Sequence, residues 1–490
     1  MNESGPRRPS WYVSLIPFLV LIAVLVVVIR LFGSAAMDGG SQVALLFSAG
    51  VAVAIAVIFY KAKWKDLEKA IGENIHAIGS AIIILLLIGA VAGSWMASGV
   101  VPTLICYGMK VMTPRLFLFS TCIICAVVSL MTGSSWTTIA TIGVALLGIG
   151  TAQGYSAGWT AGAIISGAYF GDKISPLSDT TVLASSSAGT PLFTHIRYML
   201  VTTVPSISIA LIIFLCVSLS HDVADAGRMN QVCDALESSF NISPWLLIVP
   251  VVTGVLIARK VPALPTLFLS SLTAGICSLI AQPEIIWSIA HGGAAGSAYT
   301  DLSFADGFKG MFISFYNGTA VDTGNVMVNE LVATRGMTGI LPTIFLIVSA
   351  ATFGGVLVGS GMIQSLTEAL TRRIKSRTGL VSSTVLTGVA SNMMTGDQFL
   401  SIILTCSLYG KLYDKMGFEG RLLSRSTEDS ATVTSVLIPW NSCGMTQSTV
   451  LKVPTLDYLP YCFFNLISPL MSIFIAAIGY KIFRKEVSAG

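Results

Sequence analysis

Long apolar runs broken by short polar or basic stretches set the pattern of this chain. Runs at about 11–33, 42–60, 78–98, 198–219, 244–258, 263–281, 340–360 and 458–480 approach or reach the ~20 residues that a helix needs to cross a bilayer. Two further runs, 163–185 and 428–446, are interrupted by Pro176 and Pro439, which cannot continue a regular helix. Two more are split by polar hinges: Met131-Thr132-Gly133-Ser134-Ser135-Trp136 within 115–152, and Ser391 to Gln398 between the arms 380–392 and 399–410. Irregular polar backbone at membrane depth is tolerated only where it lines a cavity. The pattern therefore predicts an all-α polytopic membrane protein, with about ten spans plus two re-entrant hairpins.

Composition agrees: 54% of the 490 residues are hydrophobic and 11% are charged, against about 25% charged in soluble domains. The net charge of +4 resides in clusters between spans, which is a topology signal and not a nucleic-acid surface. Lys61, Lys63, Lys65 and Lys69 form a loop after the second span, with Arg259-Lys260, then Arg372, Arg373, Lys375 and Arg377, then Lys481, Arg484 and Lys485. Together with Arg7 and Arg8 they place both termini in the cytoplasm. The first run resembles a signal peptide with a cleavage site at Ser34-Ala35-Ala36. It exceeds the usual 7–15-residue core, so it reads as an uncleaved helix. The acidic loop His221–Ser243, with Asp222, Asp225, Asp234 and Glu237, is then external, and 282–339 is an insertion of open topology. Cys122 and Cys125 fall at helical spacing inside an apolar run, and the four histidines form no ligand cluster. No cofactor is expected.

The two halves repeat. An offset of 263 residues carries Met131-Thr132-Gly133 onto Met394-Thr395-Gly396, Pro176 onto Pro439 and Pro191 onto Pro454. An offset of 262 carries Gly93 onto Gly355 and Ser98-Gly99 onto Ser360-Gly361. The charge clusters put the hairpins on opposite faces, so the expectation is an inverted repeat, 1–220 and 244–490, joined by the linker 221–243.

Candidate chemistry concentrates in these repeated parts. Asp172, Lys173 and Asp179 are the only Asp, Glu, Lys or Arg residues between Leu116 and Ile196. A charge at the bilayer centre costs at least ~2.5–3.5 kcal/mol, so it normally lines a pathway, finds a partner or reaches a surface. Sodium requires hard oxygen ligands, and Thr132, Ser134, Ser135, Ser175, Thr395, Asp397 and Asn441 offer them beside Asp172 and Asp179. A buried carboxylate favours its proton and a bound cation displaces it, so protons and sodium would compete. Asp172 is the leading candidate, then Asp179 and Asp397. A fixed partner such as Lys173 for Asp172, or an N-cap or hydroxyl-network role for Asp179, stays open. Glu428 and Asp429 stand near Arg421 and Arg425 and admit either ion binding or a cytoplasmic-surface ion pair. His195 and Arg197 read as surface anchors or pH sensors.

The segments SLMTGSSWTTIATIGVAL (129–146), TAGAIISGAYFGDKISPLSDTT (160–181), LFTHIRYML (192–200), DQFLSI (397–402) and LSRSTEDSATVTSVLIPWNSCG (423–444) resemble the NhaC family of sodium/proton antiporters. The resemblance covers nearly the whole chain. It implies cation/proton exchange in the bacterial cytoplasmic membrane, or, as in some relatives, sodium- and proton-linked exchange of small carboxylates such as malate and lactate. It also implies a dimeric elevator-type fold with hairpin tips and broken helices at the site. Met393-Met394-Thr395-Gly396 and Val182-Leu183-Ala184-Ser185 depart from the usual pattern, which bears on substrate identity. Carboxylate exchange would need a cationic anchor, and Lys173 is the only candidate in the central block. An intramembrane aspartyl protease using Asp172 with Asp397 would lack a GxGD motif. A continuous pore fits duplicated hairpins on opposite faces less well than alternating access does.

Overall fold

The computed structural model describes residues 8–32, 39–220, 226–259, 261–292, 301–371 and 374–485. Arg7, Ser34 to Ala36, His221, Asp222, Asp225, Lys260, Arg372 and Arg373, used above, lie outside them. The described residues are overwhelmingly helical, with two isolated bridges, Thr319 to Thr334 and Phe418 to Arg484, in place of any sheet. Eight helices are long and apolar enough to cross a membrane, or up to ten if each bent pair counts as one span. This is a multi-pass membrane protein.

Both split runs are helical hairpins. The first pairs Phe117–Thr132 with Ser135–Ala152, the second Arg377–Thr395 with Gln398–Lys415. Each turns on a glycine in the left-handed region, Gly133 and Gly396, both at φ 66. Both proline-containing runs are broken helices. In the first, Ala157–Ile174 stops, Ser175 to Ser178 is irregular, and Asp179–Ser187 follows. In the second, Gly420–Thr427 continues as a π-helical turn, Glu428–Thr432, and resumes at Ser442–Leu451 after Pro439.

The polar stretches differ from expectation. The lysine-rich loop is largely a helix, Trp64–Ala77, which buries Leu67, Ala70 and Asn74. Its charges obscure that helical spacing. It lies against Leu341–Gly359, where a Cβ on Gly355 would come within 2.6 Å of the Ile71 Cα. The 282–339 insertion contains helices Pro283–Ala290, Phe304–Tyr316 and Val326–Val332. Of these, Phe304–Tyr316 lies on Gly79–Ala97, where a Cβ on Gly93 would stand 1.9 Å from the Ser314 carbonyl oxygen. Gly93 and Gly355, matched in sequence, thus serve the same kind of packing. Most of the acidic linker is also helical, Ala226–Ser239, because Val232 and Leu236 are buried at i, i+4 spacing.

Ala157–Ile174 is buried along nearly its whole length and packs closely on the first hairpin arm. Gly167 and Gly171, in small-xxx-small spacing, permit this. A Cβ at Gly167 would sit 2.1 Å from the Cys122 carbonyl oxygen, and one at Gly171 2.3 Å from that of Ala126. Gly167→Val is expected to lower stability by about 1–3 kcal/mol, the range for an overpacked interior. The thermal midpoint of the detergent-solubilised protein measures it. Gly50→Ala, at a helical glycine with nothing within 4 Å of its added methyl, should leave the midpoint unchanged or slightly raised.

Candidate functional site

The hairpin tips repeat in atomic detail. Thr132 Oγ1 donates to the Ser134 carbonyl at 3.2 Å and meets Thr138 Oγ1 at 3.3 Å. At matching positions Thr395 Oγ1 donates to the Asp397 carbonyl at 3.0 Å and meets Ser401 Oγ at 3.0 Å. The Ser134 side chain caps the return arm through the Thr137 N–H at 3.2 Å, and Asp397 caps its own through the Leu400 N–H at 3.0 Å. Polar hinge residues are therefore spent on orphan backbone groups that no water would satisfy in a bilayer.

The first tip meets the first broken helix at Asp172. Its Oδ2 accepts from the Ser135 N–H at 3.1 Å and the Ser135 Oγ at 2.7 Å. Ser175 fastens the break to the hairpin, donating to the Leu130 carbonyl at 2.9 Å, and Thr181 Oγ1 donates to the freed Lys173 carbonyl at 3.0 Å. Beside them lies a cavity of about 280 Å³ lined by Thr132, Ser134, Asp172, Asp179, Thr180 and Gln398, among others. Ser80, Ile257, Val261, Pro262, Ala263 and Thr266 stand in its wall as well. Among the described residues, no lining side chain is Lys or Arg. Asp172 is 7% exposed, whereas Asp179 is exposed at the first turn of its helix and is not the cap, which is Ser178.

The second tip forms its own cluster. Asp397 Oδ2 accepts from Ser442 Oγ at 3.1 Å, and the Ser442 N–H donates to the Gly396 carbonyl at 2.7 Å. Asn441 caps the resumed helix through the Cys443 N–H and donates to the Asn392 carbonyl at 3.1 Å. Asp397, Thr395 and Asn441 come together there, behind the cavity wall that Gln398 and Phe399 supply. The pair Ser135 with Asp172 recurs at matched positions as Gln398 with Ser435, 3.4 Å apart.

Glu428 and Asp429 are elsewhere. Both are fully buried, and neither lines the cavity. Lys173, also fully buried, pairs with Asp429 and not with its neighbour Asp172. The cytoplasmic-surface pair expected for Glu428 and Asp429 is thus corrected: Arg421 pairs with Glu419, and Arg425 approaches Asp429 in the interior, Nε to Oδ2 3.8 Å. Nor is His195 a surface anchor. It is fully buried with Nδ1 2.7 Å from Ser424 Oγ, because Leu192–Ser220 starts beneath the second broken helix, while Arg197 is exposed. Sequence reasoning missed Ser80, Ile257, Val261 and Thr266, which look like ordinary span ends, and Thr202 and Ser468, hydroxyls on apolar helices that both donate to Asp429. Among the described residues, no group of three or more His, Cys, Asp or Glu could hold a resident metal.

Comparisons with known proteins follow from this geometry. The family model described as the Na+/H+ antiporter family matches residues 10–188 and 167–480. The Na(+)/H(+) antiporter NhaC of Alkalihalophilus pseudofirmus is 37% identical over 439 residues, covering 89% of this chain and 90% of that one. NhaC of Bacillus subtilis is 35% identical over 432 residues, with coverage of 88% and 91%. The malate-2H(+)/Na(+)-lactate antiporter of Bacillus subtilis is 33% identical over 435 residues, with coverage of 88% of each.

Accessibility distinguishes the carboxylates. In a cysteine-free background, Asp179→Cys should react with a small hydrophilic maleimide at least about tenfold faster than Asp397→Cys, since thiol reactivity follows exposure. Equal rates would mean that the second tip opens to the same water.

Proposed function

The chain belongs to the Na+/H+ antiporter family, and from that premise we propose that it exchanges sodium, and to a lesser degree lithium, for protons by alternating access, with sodium held in the Asp172 cavity. It is a transporter, not an enzyme. The observation that carries the site assignment is the cavity's donor set. It offers carboxylate and hydroxyl oxygens from Asp172, Asp179, Thr132 and Ser134, while Lys173, next to Asp172 in sequence, is held by Asp429 away from the lining. Such a wall suits a hard cation and repels a carboxylate substrate. This favours sodium over the exchange of malate or lactate, the second reading, which the 33% identical relative keeps in view.

Several features support an inverted repeat with the bounds 1–220 and 244–490. The tips share their hydrogen bonds at an offset of 263, and Gly93 and Gly355 serve reciprocal helix packings. Basic clusters near Lys61 to Lys69 and Arg259 mark the ends of the helices around Ser80 and 257–266 as cytoplasmic, so this cavity would open inward. In an elevator-type homodimer of the cytoplasmic membrane, with both termini inside, hairpins and broken helices would move together. The Lys173 to Asp429 pair, which ties one broken helix to the other, fits a unit of that kind.

Proteoliposome assays test the substrate. Sodium, and to a lesser degree lithium, should drive proton movement, whereas potassium, malate and lactate should not. Proton movement with malate and none with sodium would reject the reading. Asp172→Asn should abolish exchange. Ser135→Ala, which removes the side-chain hydrogen bond of Ser135 to that carboxylate, should change the apparent sodium affinity by about fivefold, corresponding to ~1 kcal/mol. For topology, labelling should place the 131–136 and 391–398 tips on opposite faces, and labelling of both from one face would defeat the inverted arrangement.

A further inference from the structure

Lys173, Arg425, Glu428 and Asp429 form a buried charged cluster outside the cavity wall, each side chain fully excluded from solvent. One oxygen of Asp429 is well supplied, while its Oδ2 has only Arg425 nearby. Its Oδ1 accepts from Lys173, from Thr202 Oγ1 at 3.0 Å and from Ser468 Oγ at 3.1 Å. Arg425 lies over the Tyr198 ring, 4.5 Å from its centroid. Glu428 is the carboxyl that lacks such support: neither of its oxygens makes a well-formed hydrogen bond to a described residue, like the nitrogens of Arg425, and the Thr432 hydroxyl one turn on is the one donor acting on it. It begins a π-helical turn, Glu428–Thr432, a distortion frequent at functional sites.

The groups acting on Glu428 come from several elements. Asp172 and Lys173 face it from the first broken helix, Asp429 and Arg425 share its own segment, and Cys406 faces it from the second hairpin. Asp179 begins the packed helix Asp179–Ser187, and His195 and Tyr198 of Leu192–Ser220 stand beside Ser424 and Arg425. The packed helices Arg377–Thr395 and Phe463–Ile478 contribute only Arg377, which is occupied with the Ala476 carbonyl at 2.7 Å.

We propose that Glu428 carries the exchanged proton, at a place separate from the sodium site in the Asp172 cavity. A buried charge without hydrogen bonds is far costlier than the neutral acid, so an unpartnered carboxyl suits a proton. Asp429, held by three donors, suits the fixed anion. Coupling follows from charge. With the cavity empty, the negative Asp172 opposes a second negative charge on Glu428. Sodium beside Asp172 cancels that field, the Glu428 O–H bond breaks, its proton leaves to water once the alternating movement opens the cluster that is closed here, and Lys173 and Arg425 face the new carboxylate. When sodium leaves, a proton returns to the same oxygen. No oxidation or reduction is involved.

The inference rests on the sodium reading, and two assays on the full-length protein in proteoliposomes separate their failures. Sodium counterflow at equal pH needs the cavity but no net proton transfer, whereas a sodium gradient driving internal pH change needs both. Wild type that moves no protons with sodium rejects the sodium reading itself. Given wild-type activity, Glu428→Gln should keep counterflow within about twofold, lose proton movement by about tenfold or more, and make sodium transport independent of pH. Asp172→Asn should lose both. Glu428→Gln with normal proton movement overturns the proposal. If Glu428→Gln loses both, Glu428→Asp decides: exchange with a shifted pH profile supports a proton role, and an unshifted profile or lost exchange overturns it.

Discussion

The cost of an uncompensated charge in an apolar interior organises this molecule. Removing one partner of a buried ion pair typically costs about 3–5 kcal/mol, because the other charge is left unpaired. Lys173 and Asp429 are both fully buried and meet across the two broken helices. Each half of the chain therefore holds a charge that is tolerable only beside the other half. Thr202 and Ser468, from two further helices, add two donors to the same oxygen of Asp429. The buried pair thereby ties the two broken helices to each other.

Backbone polarity imposes the second constraint. Helix ends left at membrane depth expose N–H and C=O groups that must be satisfied internally. At both hairpin tips one threonine, one capping side chain and one left-handed glycine meet that demand with the same bonds. Because Ser134 caps one tip and Asp397 the other, the same geometry holds a neutral oxygen in one half and a carboxylate in the other. Asp172 stands against Ser435 in the reverse sense. This duplicated frame is the physical setting for unequal chemistry.

Small residues allow these parts to be close enough to interact. Gly167 and Gly171 bring the first broken helix onto the backbone of its hairpin, so that Ser135 reaches Asp172. Gly93 and Gly355 do the same for the amphipathic helices that pack on the long spans. In lipid, where burial of apolar side chains offers little drive between helices, such close backbone packing is a main source of cohesion.

The sequence by itself determined the class of fold, the hairpins and the broken helices, and it singled out Asp172 as a candidate, because apolar runs, Pro176, Pro439 and isolated charges are local signals with local physical causes. It also made the likeness of the two hairpin tips legible through Thr132-Gly133 and Thr395-Gly396. Helices hidden among charges, such as Trp64–Ala77, were not legible, since their apolar stripe is short and only packing on Gly355 gives it meaning. Partner choice was decided only in three dimensions. Lys173 adjoins Asp172 in sequence but is held by Asp429, and His195 and Arg197 lie two residues apart with opposite exposure. Successive helical positions point in different directions, and which direction meets a charge, a hydroxyl or the cavity depends on helices that are distant along the chain.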